Sequence, residues 1–140
     1  MIKGKDIIVV GIQAWDIKIG SNCKNIAIEF AKNNRVLYVN PPMVRSKMSR
    51  DRHIDSIQKR IRIKDGLEPD LIEIGKNLWN LYPKNLIESI NWIGIHSIFK
   101  IFNKKNSKKL ANDIKSAISR LDFKDVIIFN DSSMFLGLHL

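Results

Sequence analysis

The stretch DIIVVGIQAWDIKIGSNCKNIAIEFAKNNRVLYVN, residues 6–40, carries the pattern that decides the fold. It contains two apolar runs, IIVV near its start and VLYV near its end, and neither alternates apolar with polar residues. Continuous runs rich in β-branched and aromatic residues are typical of parallel strands covered on both faces. Between the runs, apolar residues recur at three- and four-residue spacing, which predicts an amphipathic helix. The members of that spacing are Cys23, Ile26, Ala27, Phe30 and Ala31.

Polar residues mark both ends of this helix. We expect Ser21 to be its N-cap and Asn33 with Asn34 to be its stop. Strand, helix and strand then make a right-handed βαβ unit. A second helix is predicted over about residues 107–121, where apolar residues share one face, and it leads to a third apolar run, DVIIFND, at residues 125–131. The fold class is therefore α/β: a doubly wound, Rossmann-like parallel sheet with helices on both faces and the three runs as interior strands.

The middle of the chain is less regular. Residues 41–60, PPMVRSKMSRDRHIDSIQKR, begin with two prolines and carry many Lys and Arg but few apolar residues. This predicts a mobile surface loop with a short helix, and residues 45–60 should be the most mobile part of the free domain. Residues 71–83, LIEIGKNLWNLYP, alternate in part and predict a hairpin or edge strands. Residues 89–102, SINWIGIHSIFKIF, leave two interpretations open: a core helix ending in a solvated basic turn, which we favour, or a helix on a membrane surface.

Composition limits the class of protein. A chain of 140 residues and 16.2 kDa is the size of one domain. No apolar stretch approaches the roughly 20 residues that cross a bilayer, and the first residues lack a signal-peptide core, so we expect a cytoplasmic protein. The single cysteine, Cys23, excludes an internal disulfide and a cysteine-rich zinc site. Its place on the apolar helix face predicts a buried thiol.

The formal net charge of +10 raises the question of a nucleic-acid partner. Ile, Lys and Asn are frequent along the whole chain, and the lysines are not interleaved with stacking aromatic residues. We therefore expect no nucleic-acid partner, whereas an RNA-binding domain would show steeply salt-dependent binding. An anionic membrane surface or a phosphorylated substrate is the better partner for the surplus charge.

Each predicted strand ends in polar residues. In open parallel sheets, ligands bind beyond the carboxyl ends of the strands, where helix N-termini present backbone amides to anions. The glycines do not form the GxGxxG fingerprint, and no P-loop, HExxH or GxSxG motif occurs. His53, His96 and His139 lie far apart in sequence, so no metal site is expected. The residues that outline the predicted cleft are Gly11, Gln13, Gly20, Ser21, Asn22, Asn40, Asn130, Asp131, Ser132 and Ser133.

The blocks GIQAWDIKIGSNCKNIAIEFAKNNRVLYVNPP, LWNLYP, ESINW and IIFNDSSMF resemble the amino-terminal domain of bacterial GT-B glycosyltransferases of the teichuronic-acid and exopolysaccharide type, similar to glycosyltransferase family 4. The resemblance spans nearly the whole chain; Ala14, Ser133 and Leu136 depart from the family's pattern. It implies that residues 1–140 form one Rossmann-like domain, the N-terminal acceptor-side half of a longer two-domain enzyme. The donor-binding C-terminal domain would lie outside this chain, and the fragment alone would be inactive.

The resemblance also implies an activity and site residues. The full-length enzyme would transfer a sugar from a nucleotide-sugar donor to a glycan or lipid-linked acceptor in cell-surface polysaccharide biosynthesis, without a cofactor or bound metal. A lipid-linked acceptor would bring the enzyme into peripheral contact with the anionic inner membrane face. Asp131 would contact an acceptor hydroxyl, with Asp16 as the alternative general base. Trp15 would stack on a sugar ring. The implied substrate-binding positions are Gln13, Trp15, Gly20, Ser21, Asn22, Asn40 and Asn130.

The alternative is a self-contained Rossmann-like nucleotide- or ligand-binding module without catalysis. The open reading frame separates the two hypotheses. Coding sequence that continues for about 200 residues with a second βα array supports the enzyme, because that is the size of a further domain. A natural stop after Leu140 favours the module.

Overall fold

The computed structural model describes residues 1–137 and 139–140, and Met134 by its backbone alone. Within these residues, five strands form one sheet that is flanked by helices. The elements in chain order are β1 (Asp6–Val10), α1 (Asn22–Ala31), β2 (Arg35–Val39), α2 (Arg45–Arg50), α3 (Asp55–Lys64), β3 (Leu71–Gly75), β4 (Leu78–Leu81), α4 (His96–Leu121), β5 (Ile127–Asn130) and α5 (Met134–Gly137).

The sheet has the order β3-β4-β2-β1-β5. Strands β4, β2, β1 and β5 are parallel, whereas β3 pairs antiparallel with β4. The predicted α/β class, the βαβ unit and the hairpin are confirmed. The predicted parallel sheet is observed in part: the sheet is mixed, because the short β3–β4 connection can join only antiparallel neighbours.

Helices cover both faces of the central strands. Ile8 and Val10 of β1 belong to a core cluster with Leu110 and Ile114 of α4. The alternate β1 residues, Ile7 and Val9, belong to a second cluster with Cys23 and Ala27 of α1. This two-sided burial explains why the β1 run is continuously apolar.

Strand β5 departs from the prediction of an interior strand. In the described sheet it is an edge strand that pairs with β1. Ile127 and Ile128 are 38% and 41% exposed. The apolar run identified the strand correctly, but its position in the sheet depends on chain topology rather than on local sequence.

The predicted loop at residues 41–60 is instead largely helical, as α2 and the first part of α3. Ile57 is buried in a small cluster with Met43 and Leu86, and Ile63 in the last turn of α3 is also buried. A few well-placed apolar residues therefore anchor a segment whose composition is dominated by charge.

Residues 96–121 form one continuous helix, α4, which joins two segments that the sequence analysis treated separately. Its second half packs in the core, but Trp92, Ile95, Ile98 and Ile101 in or before its first half are exposed. The favoured interpretation of residues 89–102 as a core helix is therefore wrong for most of its apolar side chains. In the described part of the chain, no helix combines the length and apolar character that a membrane crossing requires.

Candidate functional site

The strand order creates a crevice at the carboxyl edge of the sheet. From β1 the chain moves to β2 on one side and later returns to β5 on the other, so the β1 and β5 ends diverge at a topological switch point. A cavity of about 190 Å³ lies there. Its lining includes Val10, Gly11, Pro41, Pro42, Ser132 and Ser133. This is the position where ligands bind in open α/β sheets.

The loop between β1 and α1, residues 11–21, folds over the buried Tyr38. A Cβ atom at Gly11 would overlap the Tyr38 hydroxyl, so this position requires glycine. The same hydroxyl donates a hydrogen bond of 2.6 Å to the Gln13 carbonyl. The Trp15 ring packs edge-on against Tyr38, with ring centroids 4.9 Å apart. Much of this loop's unusual composition thus serves its packing on β2.

Asn40, at the end of β2, also holds this loop. Its Oδ1 accepts a 2.7 Å hydrogen bond from Trp15 N, and its Nδ2 donates to Leu81 O at 2.8 Å and to Asn80 Oδ1. The side chain is 0% exposed. The prediction that Asn40 contacts substrate is corrected, because both ends of its amide are already used by Trp15, Asn80 and Leu81 and so serve the fold.

Trp15 and Gln13 are likewise only partly available to a ligand. Both residues are half-buried, and contact with Tyr38 occupies part of the indole that was predicted to stack on a sugar. Gln13 Oε1 is buried and has no hydrogen-bond partner among the described residues.

The start of α1 faces this edge. Ser21 is the N-cap, as predicted, and its Oγ accepts a 3.2 Å hydrogen bond from Lys24 N. Gly20 and Asn22 on either side are exposed, and a Cβ at Gly20 would meet no atom within contact distance. The Lys24 ammonium donates to Ile17 O at 2.6 Å and so ties the loop to the helix. The amides of the first turn give this end of α1 a partial positive charge.

Asp131 follows β5 and lies close to the start of α1. Its backbone amide donates to Val10 O at 2.9 Å, and its side chain is exposed. Burial, and secondly the nearby Asp131 carboxylate, raise the pKa of the Cys23 thiol to about 11. Cys23 is 1% exposed, which confirms the predicted buried thiol and leaves it protonated at neutral pH. Asp131 thus lies close to Cys23 in the first turn of α1.

Asn130 forms a local turn. Its Oδ1 accepts hydrogen bonds from Ser132 N at 3.1 Å and from Ser132 Oγ at 2.6 Å. A Cβ atom at Gly137 would overlap the Asn130 amide, so α5 packs closely on this turn. Asn130 therefore shapes the rim of the crevice, although its side chain remains exposed.

Sequence reasoning missed a basic cluster next to Asp16. Lys59 Nζ lies 3.4 Å from an Asp16 carboxylate oxygen and donates to Tyr82 OH at 3.1 Å. Arg60 donates to Pro41 O at 2.7 Å, and both cations lie over the Tyr82 ring. Burial lowers the pKa of Lys59, but the Tyr82 hydrogen bond and the Asp16 carboxylate outweigh burial, so the pKa of Lys59 is raised overall. Burial lowers the pKa of Arg60, which has no carboxylate in ion-pair contact among the described residues.

This part of the structure carries two sources of positive charge and two exposed carboxylates. The positive charge comes from the α1 amides and, separately, from Lys59 and Arg60 beside Tyr82, and the carboxylates are Asp16 and Asp131. Within the described residues, no group of three or more His, Cys, Asp or Glu side chains is placed to hold a metal ion.

Comparison with known proteins gave no match: no family model, curated protein or solved structure matches the chain.

Proposed function

We propose that this chain is the acceptor-side half of a GT-B glycosyltransferase, which transfers a sugar from a nucleotide sugar to a glycan or lipid-linked acceptor. The observation that carries the proposal is the crevice at the carboxyl ends of β1 and β5, next to Asp131, which follows β5 and lies close to Cys23 in the first turn of α1. In this proposal, the domain is Rossmann-like, and the donor is held mainly by a second domain outside the chain. The sequence resemblance across the same loops supports this assignment.

The proposal gives each charged group a role. Asp131 accepts the proton of the attacking acceptor hydroxyl, since its carboxylate is exposed and has no ion pair among the described residues. Asp16 is the alternative base, although its carboxylate already lies 3.4 Å from Lys59 Nζ in an ion pair. The α1 amides, with Gly20 and Asn22 beside them, lie near the donor phosphates and stabilise the departing diphosphate.

A transfer assay on the full-length enzyme tests these roles. The expected result is sugar transfer that Asp131→Asn reduces by about 10²-fold or more, because general base catalysis contributes on that order. Asp125→Asn is the matched control, since Asp125 is an exposed carboxylate before β5, at the opposite edge of the sheet. Equal activity of the Asp131→Asn and Asp125→Asn enzymes would contradict the role of Asp131, and a larger loss in Asp16→Asn would assign the base to Asp16.

The alternative, a binding module without catalysis, makes a different prediction for the isolated chain. A self-contained nucleotide-binding module binds the nucleotide itself, whereas the acceptor-side half leaves most donor contacts to the missing domain. Calorimetric titration of the 140-residue chain with UDP and GDP separates them. Tight binding to either nucleotide, together with no transfer by the longer gene product, would replace the enzyme proposal with the module.

The proposal includes contact with an anionic membrane, where a lipid-linked acceptor would lie. Trp92 and Ile101 are 78% and 66% exposed, and Ile95 and Ile98 are exposed close by. Lys100, Lys104, Lys105 and Lys108 are exposed on the same part of α4. Apolar side chains that enter the headgroup boundary and lysines that attract anionic lipid act together, and each nearby lysine contributes about 1 kcal/mol.

Sedimentation with phosphatidylglycerol-containing vesicles tests this contact. We expect the chain to pellet with these vesicles, to be released by high salt, and to lose binding in a Trp92→Ser/Ile101→Ser variant. Leu67→Ser is the matched control, because Leu67 is 74% exposed but lies in the α3–β3 connection. Pelleting that survives the double substitution, or that Leu67→Ser abolishes equally, would remove the membrane role from this surface.

A further inference from the structure

A second pocket lies beside the crevice, and Asn103, one of the residues that line it, has a buried polar atom without a partner. Asn103 is on α4 and is 3% exposed. Its Nδ2 donates a 2.7 Å hydrogen bond to Phe135 O, which fixes the orientation of the amide because a carbonyl can only accept. Its Oδ1 is buried and has no hydrogen-bond partner among the described residues. A buried acceptor without a donor is unfavourable, so this atom calls for a ligand or water.

The neighbouring Asn106 shows how such an amide is satisfied when the fold itself uses it. Asn106 Oδ1 accepts from Glu88 N at 3.0 Å, and Asn106 Nδ2 donates to Glu88 O at 2.8 Å. Ile87 is held in turn by backbone hydrogen bonds to Met43 and Arg45. The part of the pocket wall formed by Ile87 and Glu88 is therefore fixed in place without the help of Asn103 Oδ1.

The pocket has a volume of about 200 Å³. It lies between α4, α5 and residues 87–91, and Asn103 is part of its lining. Ile87, Ser133 and Leu136 line both this pocket and the crevice at the carboxyl ends of β1 and β5. A molecule bound in the pocket would thus extend towards Asp131 and the proposed reaction centre.

The lining selects the chemistry of the ligand. Asn103 Oδ1 needs a hydrogen-bond donor, and Glu88, whose carboxylate also borders the pocket, can only accept. Both groups disfavour an anion. A cation gains little, because Arg45 Nε already lies 2.8 Å from the Glu88 carboxylate. Val44, Ile90 and Leu136 add apolar wall, which suits the apolar face of a ring.

We propose that this pocket binds a neutral sugar ring, one of whose hydroxyl groups donates to Asn103 Oδ1. That the ring belongs to the acceptor glycan rests on the proposed glycosyltransferase function, whereas binding of the sugar itself does not. Asn103 is then a specificity-determining residue for the acceptor.

NMR titration of the isotope-labelled chain with methyl glycosides of glucose, galactose, mannose and N-acetylglucosamine tests the proposal directly. At least one glycoside is expected to shift the side-chain NH₂ resonances of Asn103 and the backbone resonances of Ser89 and Asn91. Asn103→Leu removes the acceptor at similar size and should weaken binding at least about tenfold, the loss expected for one hydrogen bond.

Ser107→Ala is the matched control. Ser107 Oγ donates to Leu136 O at 2.9 Å, so this variant also loses one hydrogen bond between α4 and α5 but keeps Asn103 Oδ1. Binding by Ser107→Ala should stay within about twofold of the wild type. Equal weakening in both variants would show that only the α4–α5 contact matters and would overturn the proposal.

Titrations of the wild-type chain also test the proposal, and they do so even if the Asn103→Leu variant does not fold. Absence of any shift at Asn103 in the wild-type chain, with all four glycosides, would overturn the proposal and leave the pocket as a hydration site. Shifts confined to Trp15 and its loop would place the sugar elsewhere, which refutes this pocket but not the enzyme. Shifts at Asn103 without transfer by the full-length protein would support the sugar pocket and refute the glycosyltransferase.

Discussion

Replacing Asn40 with aspartate tests the conclusion that this residue serves the fold. The carboxylate would still accept from Trp15 N, but it could not donate to Leu81 O, which Asn40 Nδ2 reaches at 2.8 Å. Rotation of the Asn80 amide could supply a donor to the second oxygen, but the Leu81 carbonyl can only accept. The variant therefore holds a fully buried negative charge against a carbonyl oxygen.

The expected cost at neutral pH is about 3–5 kcal/mol, the range for an uncompensated buried charge. This is a large part of the roughly 5–15 kcal/mol that typically stabilises a domain, so the variant should be close to unfolding. The carboxyl pKa should be raised in the folded state above its unfolded value of about 3.9, because burial disfavours the charge. Between those two pKa values the folded state binds more protons, so the variant's stability relative to wild type should increase as the pH falls.

Urea unfolding of wild type, Asn40→Asp and Asn40→Leu across this pH range measures the effect. Subtracting the wild-type values removes the titration of all other groups. Asn40→Leu also loses the hydrogen bonds but carries no charge, so its deficit should not change with pH. Asn130→Asp adds the same charge at an exposed strand end and should be nearly neutral. If the stability deficits of Asn40→Asp and Asn40→Leu run parallel with pH, the side chain at this position is not buried as described.

Three further predictions concern stability. Gly11→Ala should cost about 1–3 kcal/mol in urea unfolding, because its Cβ overlaps the hydroxyl of the buried Tyr38, and the cost should shrink in a Tyr38→Leu background. Burial raises the pKa of Asp6, but hydrogen bonds from the Arg35 side chain and a backbone amide outweigh burial and lower the folded-state pKa. The stabilisation that Asp6 provides is therefore present above about pH 4 and is lost as the pH falls through the lowered pKa. Asp6→Asn should therefore destabilise by about 1–3 kcal/mol at neutral pH and show no such acid loss. Ile63→Ala should cost about 2–5 kcal/mol, and hydrogen exchange should show protected amides in α3, whereas rapid exchange there would restore the mobile loop.

The elements that the sequence predicts well are those whose signals are local. The periods of β1, α1 and β2, the Ser21 cap and the hairpin of β3 and β4 all follow from residues within one element or turn. The edge position of β5 does not, because an apolar run looks the same whether or not a further strand lies beside it. The sequence did not predict the exposure of Ile101 for a similar reason: helical spacing shows which residues share a face of the helix but not what covers that face.

The sequence predicted which edge of the sheet carries the candidate site, but not which residues at that edge serve the fold and which remain available to a ligand. The strand ends indicated the carboxyl edge of the sheet, and the structure has the crevice, Ser21 and Asp131 at that edge. Lys59, Arg60 and Tyr82 were missed because they reach the same edge from distant parts of the sequence. Sequence spacing carries no signal for such a cluster, although helical spacing of Ile57 and Ile61 would have predicted α3.

The polar residues at this edge divide according to whether the fold already uses their hydrogen-bonding groups. Asn40 is fully buried, and Ser21 uses its hydroxyl to cap α1, so their substitution should change stability before it changes ligand binding. Asp131 remains exposed, and its substitution should change activity with little effect on folding. Asn103 is intermediate, because one end of its amide holds α5 and the other end has no partner among the described residues. Comparing stability with ligand binding for these residues therefore separates the fold's requirements from those of the site, even before a substrate is identified.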